Sequence, residues 1–374
     1  MVIKGARVWD HQAGEFVKKE VYFQDGVFCE HSGEGIVNAS GLYMLPGLID
    51  AHSHIGMWEE AVGTEGADGN ESSDPWTPHL RAIDAINPMD KAFEKARQGG
   101  VTTVATGPGS TNVLGGQVAI IKTWGLTLDE MVVNPYCAMK VALGENPKRY
   151  FGANGKPPIT RMAIAAILRT ALMKARDYYK RKTHAENPTQ LPPFDEKLES
   201  LIPVLEKKVP MKFHVHRADD IATAIRIARE FDLRITLDHC TEGHLIPEAI
   251  MNSGFPAIVG PSFGVQSKVE LKNMTFDTPG SLHRNGVKVA IMTDHPVHPQ
   301  SSLILWAIMA HKSGVEEKDA LQMVTRNPAQ ILGIDKNLGS IEVGKEADFA
   351  LWDKHPLDIY SSVRHLFIRG KQVI

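Results

Sequence analysis

The stretch GLIDAHSHIGMWEE, residues 47–60, sets two histidines, His52 and His54, one residue apart at the end of a short apolar run. Counting alone gives the pair little weight. Random placement of the chain's 16 histidines in 374 residues gives roughly 0.7 His-x-His pairs. The chain has two, the second being His214/His216 in MKFHVH. Position carries more information. GLIDAH reads as a buried strand, and on a strand residues i and i+2 face the same side, so both histidines of the first pair can point at one ion.

Working outward, residues 46 to about 335 alternate short apolar strand candidates with helical patterns, the signature of βα units and a parallel sheet. The strand candidates are GLIDAH, VTTVATG, YCAMKVALG, MKFHVH, RITLDH, FPAIVG and VKVAIMTD. Helical stretches include DKAFEKARQGG, DIATAIRIAREF, PEAIMNSG and EEKDALQMVTRNPAQIL. About seven such units point to an α/β chain folded as a (β/α)8 TIM barrel rather than an open sheet. In such a barrel, functional groups sit at the C-terminal ends of the strands, where residues distant in sequence converge. The strand candidates end in, or contain near their ends, His52 and His54, His214, His239 and Asp294. Any one of these reads equally well as an ordinary hydrogen-bonded side chain, and Asp294 as a helix cap. Five at matching positions read as a metal site.

The two ends have a different texture. ARVWD, FVKKEVYF and GVFCE near the start, and GSIEVGKEADFALWD and VRHLFIRGKQVI at the close, give short strands with Gly and Asp turns, the last as a hairpin around Gly370. The expected organisation is a small sheet domain from residues 1–45 plus 339–374 around a barrel over 46–338. At about 146–210 the rhythm breaks. A long basic helix, RMAIAAILRTALMKARDYYKRK, a Pro-rich loop and a second helix, FDEKLESLIPVLEKK, read as a helical insertion beside the barrel mouth, with the charge run as a solvated face.

Composition narrows the function. A net charge of −3 offers neither a basic stripe for nucleic acid nor a polybasic patch for membranes, which leaves a small molecule or dipeptide as the expected partner, with a homo-oligomer open. Three widely spaced cysteines, Cys29, Cys137 and Cys240, suggest neither a disulfide framework nor a zinc ribbon. The first residues show no signal-peptide pattern, so the expected location is the cytoplasm.

PGLIDAHSHIG, the strand-end histidines, TDH, and NPAQILGID…LGSIEVGKEADFALWD resemble the amidohydrolase superfamily of metal-dependent hydrolases over essentially the whole chain. GGVTTV, GPGSTNVLGGQ, ALGENPKR, HVHRADDI and DHCTEGH resemble a branch near imidazolonepropionase-like and prolidase-like members. The resemblance implies a barrel flanked by a β-sandwich built from both termini. It implies His52 and His54 as ligands from the first strand, His214 from the fifth, His239 from the sixth and Asp294 from the eighth. It also implies a carboxylated lysine, or sometimes a glutamate, bridging two ions. Lys140 lies within YCAMKVALG and Glu145 beyond its end, on opposite faces, so one of the two is expected to serve, or neither if a single ion is held.

Such ligands suit one or two divalent ions, zinc first, with Mn, Fe or Co as alternatives. A bound ion can bring the pKa of water down to about 7. The expected reaction is hydrolysis of a C–N bond in a cyclic amide, dipeptide or N-acyl compound, with Asp294 as general acid and base. Candidate substrate contacts are Asn112 and Gln117 in the Gly-rich stretch, Arg161 at the start of the long helix, His216 and Arg217 after His214, and His295 beside Asp294. A deaminase of an aminated heterocycle would use the same ligands. A scaffold on the same fold is a third reading.

Overall fold

The structure, a computed structural model, describes residues 1–31 and 35–374. Eight strands form one nearly closed barrel sheet in which hydrogen-bonded neighbours follow chain order. They are Leu48–Ser53, Val101–Thr106, Leu114–Lys122, Val132–Ala142, Met211–Val215, Ile235–His239, Ala257–Val259 and Val289–Ile291, called here the first to the eighth. Apolar residues of this sheet and of the helices outside it share the main hydrophobic core, for example Leu48, Val104, Val141, Phe213 and Leu237 with Phe93, Leu168 and Ile221.

The third strand departs from the all-parallel expectation. It pairs antiparallel with both neighbours. Only residues 107–113 separate it from the second strand, whereas a parallel return needs a dozen or more residues for its crossover. The Gly-rich stretch GPGSTNVLGGQ is therefore a hairpin turn that becomes a strand at Leu114.

No ladder joins the first and eighth strands. Near the floor of the barrel the backbone of Met323 and Val324 sits between them, accepting from Ile291 N and Ile49 N at 2.9 Å each. Closer to the mouth, buried Asp50 closes the gap. Its Oδ2 accepts from Thr293 N at 3.0 Å, Thr293 Oγ1 at 2.7 Å and Gln300 Nε2 at 2.6 Å.

The interval 146–210 supplies the crossover between the fourth and fifth strands. Helix Arg161–His184 is capped by Thr160 Oγ1 and buries Ile164, Leu168, Leu172 and Ala175 in the main core. The second helix read from sequence forms as two short ones, Glu196–Glu199 and Ile202–Leu205, the later one beginning with Pro203 at its second position. Among the described residues no helix is long and apolar enough to cross a membrane.

Both termini build two further sheets. A six-stranded one runs Lys371–Gln372, Val363–Ile368, Phe349–Trp352, Tyr43–Pro46, Arg7–Asp10, Glu15–Lys18, and a four-stranded one runs Val27–Cys29, Val21–Gln24, Val2–Lys4, Ile36–Asn38. Each contains one parallel pair, Val2–Lys4 with Ile36–Asn38 and Arg7–Asp10 with Tyr43–Pro46. Ile3, Val8, Phe23, Phe28, Met44, Phe349 and Phe367 fill the space between them, with the rings of Phe349 and Phe367 stacked at 4.5 Å.

Candidate metal centre

The barrel strands bring His52, His54, His214, His239 and Asp294 together with Lys140 at the mouth. His52, His239 and Asp294 each offer a ligand atom within 4.8 Å of the others, and so do His214, His216 and His239. Asp294 Oδ1 lies 3.3 Å from His52 Nε2 and 3.2 Å from His54 Nε2. Lys140 Nζ lies 3.2 Å from His52 Nε2.

The outer nitrogens fix which way these rings face. His54 Nδ1 bonds Gly107 O at 2.6 Å and His239 Nδ1 bonds Gly260 O at 2.8 Å. A carbonyl only accepts, so each Nδ1 carries the proton and each Nε2 presents a lone pair to the site. His52 Nδ1 bonds the buried Asp238 Oδ2 at 2.6 Å, with the same result. His239 Nε2 is buried with no partner. Lone pairs from three imidazoles thus face a carboxylate oxygen, acceptors opposite acceptors. Such a donor set fits a divalent cation.

Burial favours the neutral ligand forms. It pushes His54 down to about 4 and His214 and His239 well below the usual histidine range. Burial also brings the Lys140 ammonium down to about 8, so an appreciable neutral fraction is available near neutral pH.

The other residues singled out in the sequence scatter. Glu145 begins helix Glu145–Ala153, and its Oε2 accepts from Glu270 N at 3.2 Å instead of facing His52. Asn112 is buried, but its amide donates to Glu71 O and, at 2.8 Å, to Asp74 O, which pins the long loop after the first strand. Gln117 lines a cavity of about 660 Å³ with Met57, Asn70 and Pro108, beside the mouth. Arg161 is held by Asp220 at 2.9 Å, and Arg217 by Asp219 at 2.9 and 2.8 Å. His216 keeps Nδ1 on Thr241 Oγ1 at 2.7 Å while its buried Nε2 has no hydrogen-bond partner. His295 is buried with both ring nitrogens unpartnered, and its carbonyl accepts from His54 N at 2.9 Å.

Sequence reading passed over Asp238, Lys212, Asp50, Lys268 and Glu270. Lys212 Nζ reaches Asp238 Oδ2 at 2.8 Å and Ala51 O at 2.9 Å, so one buried pair holds His52 and the first strand together. A signal existed for two of these. Asp50 and Lys212 each lie two residues before a strand-end histidine, on the same inward face. Lys268 and Glu270 come from the loop after the seventh strand, which has no periodicity to read.

The chain is similar to known proteins. The amidohydrolase family model matches residues 43–373. The crystal structure of an amidohydrolase from Thermotoga maritima MSB8 shares the fold at a TM-score of 0.96 and 40% identity, covering 100% of this chain and 99% of that one. An imidazolonepropionase of Pseudomonas putida is 27% identical over 350 residues, which is 86% of this chain and 82% of that protein. Amidohydrolase tasK of Hapsidospora irregularis is 29% identical over 361 residues, 90% of this chain, although the chain spans only 37% of its length. By the match of the family model over residues 43–373, the chain belongs to the amidohydrolase family.

Proposed function

We propose that the protein is a metal-dependent hydrolase that cleaves a C–N bond in a small amide, dipeptide or N-acyl compound. The observation that carries this reading is the set of inward, unprotonated Nε2 atoms of His52, His54 and His239 around Asp294 Oδ1. His52, His54, His214, His239 and Asp294 would hold the metal, zinc first, and Lys140, carboxylated on Nζ, rather than Glu145 would be the group shared by two ions, since the Glu145 carboxylate is engaged with Glu270 N. A divalent ion there supplies Lewis-acid polarisation and an acidified water at neutral pH.

The chain's own groups do the rest. Asp294 Oδ1 faces His52 and His54, which leaves Oδ2 to take a proton from the attacking water and pass it to the leaving nitrogen. The buried setting of the site strengthens each of these electrostatic contacts.

Elemental analysis of protein purified without chelator should find one or two divalent ions per chain. A substrate panel scored for released amine and for ammonia separates amide hydrolysis from deamination. On an identified substrate, Asp294→Asn should lower kcat by ~10²–10⁴-fold, the usual contribution of a general acid–base group, while folding is retained. Metal content near zero in the wild type, or full activity in Asp294→Asn, would overturn the reading.

A further inference from the structure

The loop after the seventh strand places Lys268 beside the histidine cluster, and its surroundings differ from those of the other cations near the mouth. Arg161 and Arg217 are each neutralised by a close carboxylate of their own, Asp220 and Asp219. Among the described residues, Lys268 Nζ has a single contact, Glu270 Oε1 at 3.5 Å, and its side chain stays 20% exposed. An ammonium carries three donors, so most of its hydrogen-bonding capacity is unused.

Glu270 is held from the other side. Its Oε2 accepts from Glu145 N at 3.0 Å, its own N–H donates to Glu145 Oε2 at 3.2 Å, and the residue is 1% exposed. The oxygen that faces Lys268 also lies 3.7 Å from His216 Nε2. His216 is 5% exposed and that nitrogen has no hydrogen-bond partner. One fixed carboxylate oxygen therefore has the Lys268 ammonium on one side at 3.5 Å and an unpartnered imidazole nitrogen on the other at 3.7 Å. The imidazole belongs to the same three-histidine group as His214 and His239. The Lys268 charge reaches that group, being second only to burial in pushing His216 down to about 3.

We infer that Lys268 is the anchor for a carboxylate on the substrate, so that the substrate class is an N-acyl amino acid or dipeptide whose carboxylate lies a few bonds from the scissile amide. This rests on the hydrolase reading above and narrows it. Glu270 positions the ammonium, and His216 Nε2 lies beside the same carboxylate oxygen on the side of the histidine cluster. In an N-acyl amino acid only the N–Cα and Cα–carboxylate bonds separate the amide from the charged group. That short reach matches a cation and a metal-site histidine that share one carboxylate oxygen.

The test compares N-acetyl-L-amino acids with the corresponding amides, which differ only in the anionic group. Wild-type enzyme should favour the acids. Lys268→Met should raise KM for the acids at least tenfold with kcat within about twofold, leave the amides unchanged and keep the wild-type metal content, and Lys268→Arg should restore most of the loss. Equal effects on acids and amides, or no effect on acids, would overturn the inference while leaving the hydrolase reading intact. If the wild type cleaves no compound of the panel, the hydrolase reading for this class fails. The same compounds are then inert ligands, and calorimetry decides the anchor: N-acetylglycine should lose at least tenfold in affinity on Lys268→Met and N-acetylglycinamide none, and an unchanged affinity for N-acetylglycine sinks it.

Discussion

Asp238 shows how much of the site depends on residues that touch no ligand. Its Oδ2 accepts both from His52 Nδ1 at 2.6 Å and from Lys212 Nζ at 2.8 Å, while Oδ1 accepts from Thr236 Oγ1 at 2.6 Å. Burial disfavours its charge, but Lys212 and His52 together hold the carboxyl well below the usual range. Asp238→Asn would leave Lys212 as a buried, unpaired cation. We expect a loss of ~3–5 kcal/mol in denaturant unfolding, the range for removing one partner of a buried pair. We also expect a ~10–100-fold weaker hold on metal in a chelator competition, because a neutral amide fixes the Nδ1 proton of His52 less firmly than the carboxylate does. Unchanged metal affinity would show that Asp238 has no part in orienting His52. The adjacent pair Asp238-His239 was half legible in the sequence. Simple alternation puts neighbours on opposite faces, yet both serve the interior, because His239 ends the strand with a left-handed φ of 73°. Asp294, with φ 55°, turns in the same way. Non-glycine residues held in that region cost free energy and cluster at functional sites.

At the scale of elements, the third strand decides the shape of one side of the mouth. Gly115 and Gly116 disguise its beginning, which is why VAIIK, a buried apolar run, escaped notice as part of a nine-residue strand. Gly116 has φ 129°, and a Cβ there would stand 2.5 Å from Leu80 O, the same oxygen that accepts from Gln117 N at 2.8 Å. The glycine lets the loop after the first strand lie against the hairpin and wall the cavity beside the site. Gly116→Ala is therefore expected to lower stability by ~1–3 kcal/mol, the cost of forcing a side chain into a strained backbone, measured as a shift of the urea midpoint at constant slope. A midpoint equal to that of the wild type would mean that the loop yields freely. Helix Lys91–Gln98, by contrast, forms within DKAFEKARQGG, the stretch read as helical. Asp90 accepts from Ala92 N as the N-cap, and the helix ends at Gly99.

The whole molecule is joined where Lys122, on the third strand, crosses to the terminal sheets. Fully buried, it meets Asp348 Oδ2 at 2.7 Å and Glu346 Oε2 at 2.8 Å. Lys122→Met would strand a buried carboxylate, so we expect ~3–5 kcal/mol of destabilisation, whereas pairing it with Asp348→Leu should recover part of the loss. No recovery in the double variant would mean that the lysine acts through packing alone. Metal couples to the same global stability. If ions bind only the folded barrel, stripping them should lower Tm, and occupancy at 1,000 times Kd corresponds to about 4 kcal/mol. Identical Tm values with and without chelator would argue against tight binding at this centre.

The sequence by itself determined the barrel, the sheets built from both ends and the five ligand candidates, because apolar periodicity and strand-end position are local properties that survive in one dimension. Only the tertiary structure decided the rest. It chose Lys140 over Glu145 as the group facing His52, since a helix start turns Glu145 toward Glu270. It reversed the third strand, because the preceding connection is too short to cross over. And it brought Lys268, Glu270 and His216 together from a loop and a strand end whose spacing in the chain says nothing about their distance in space.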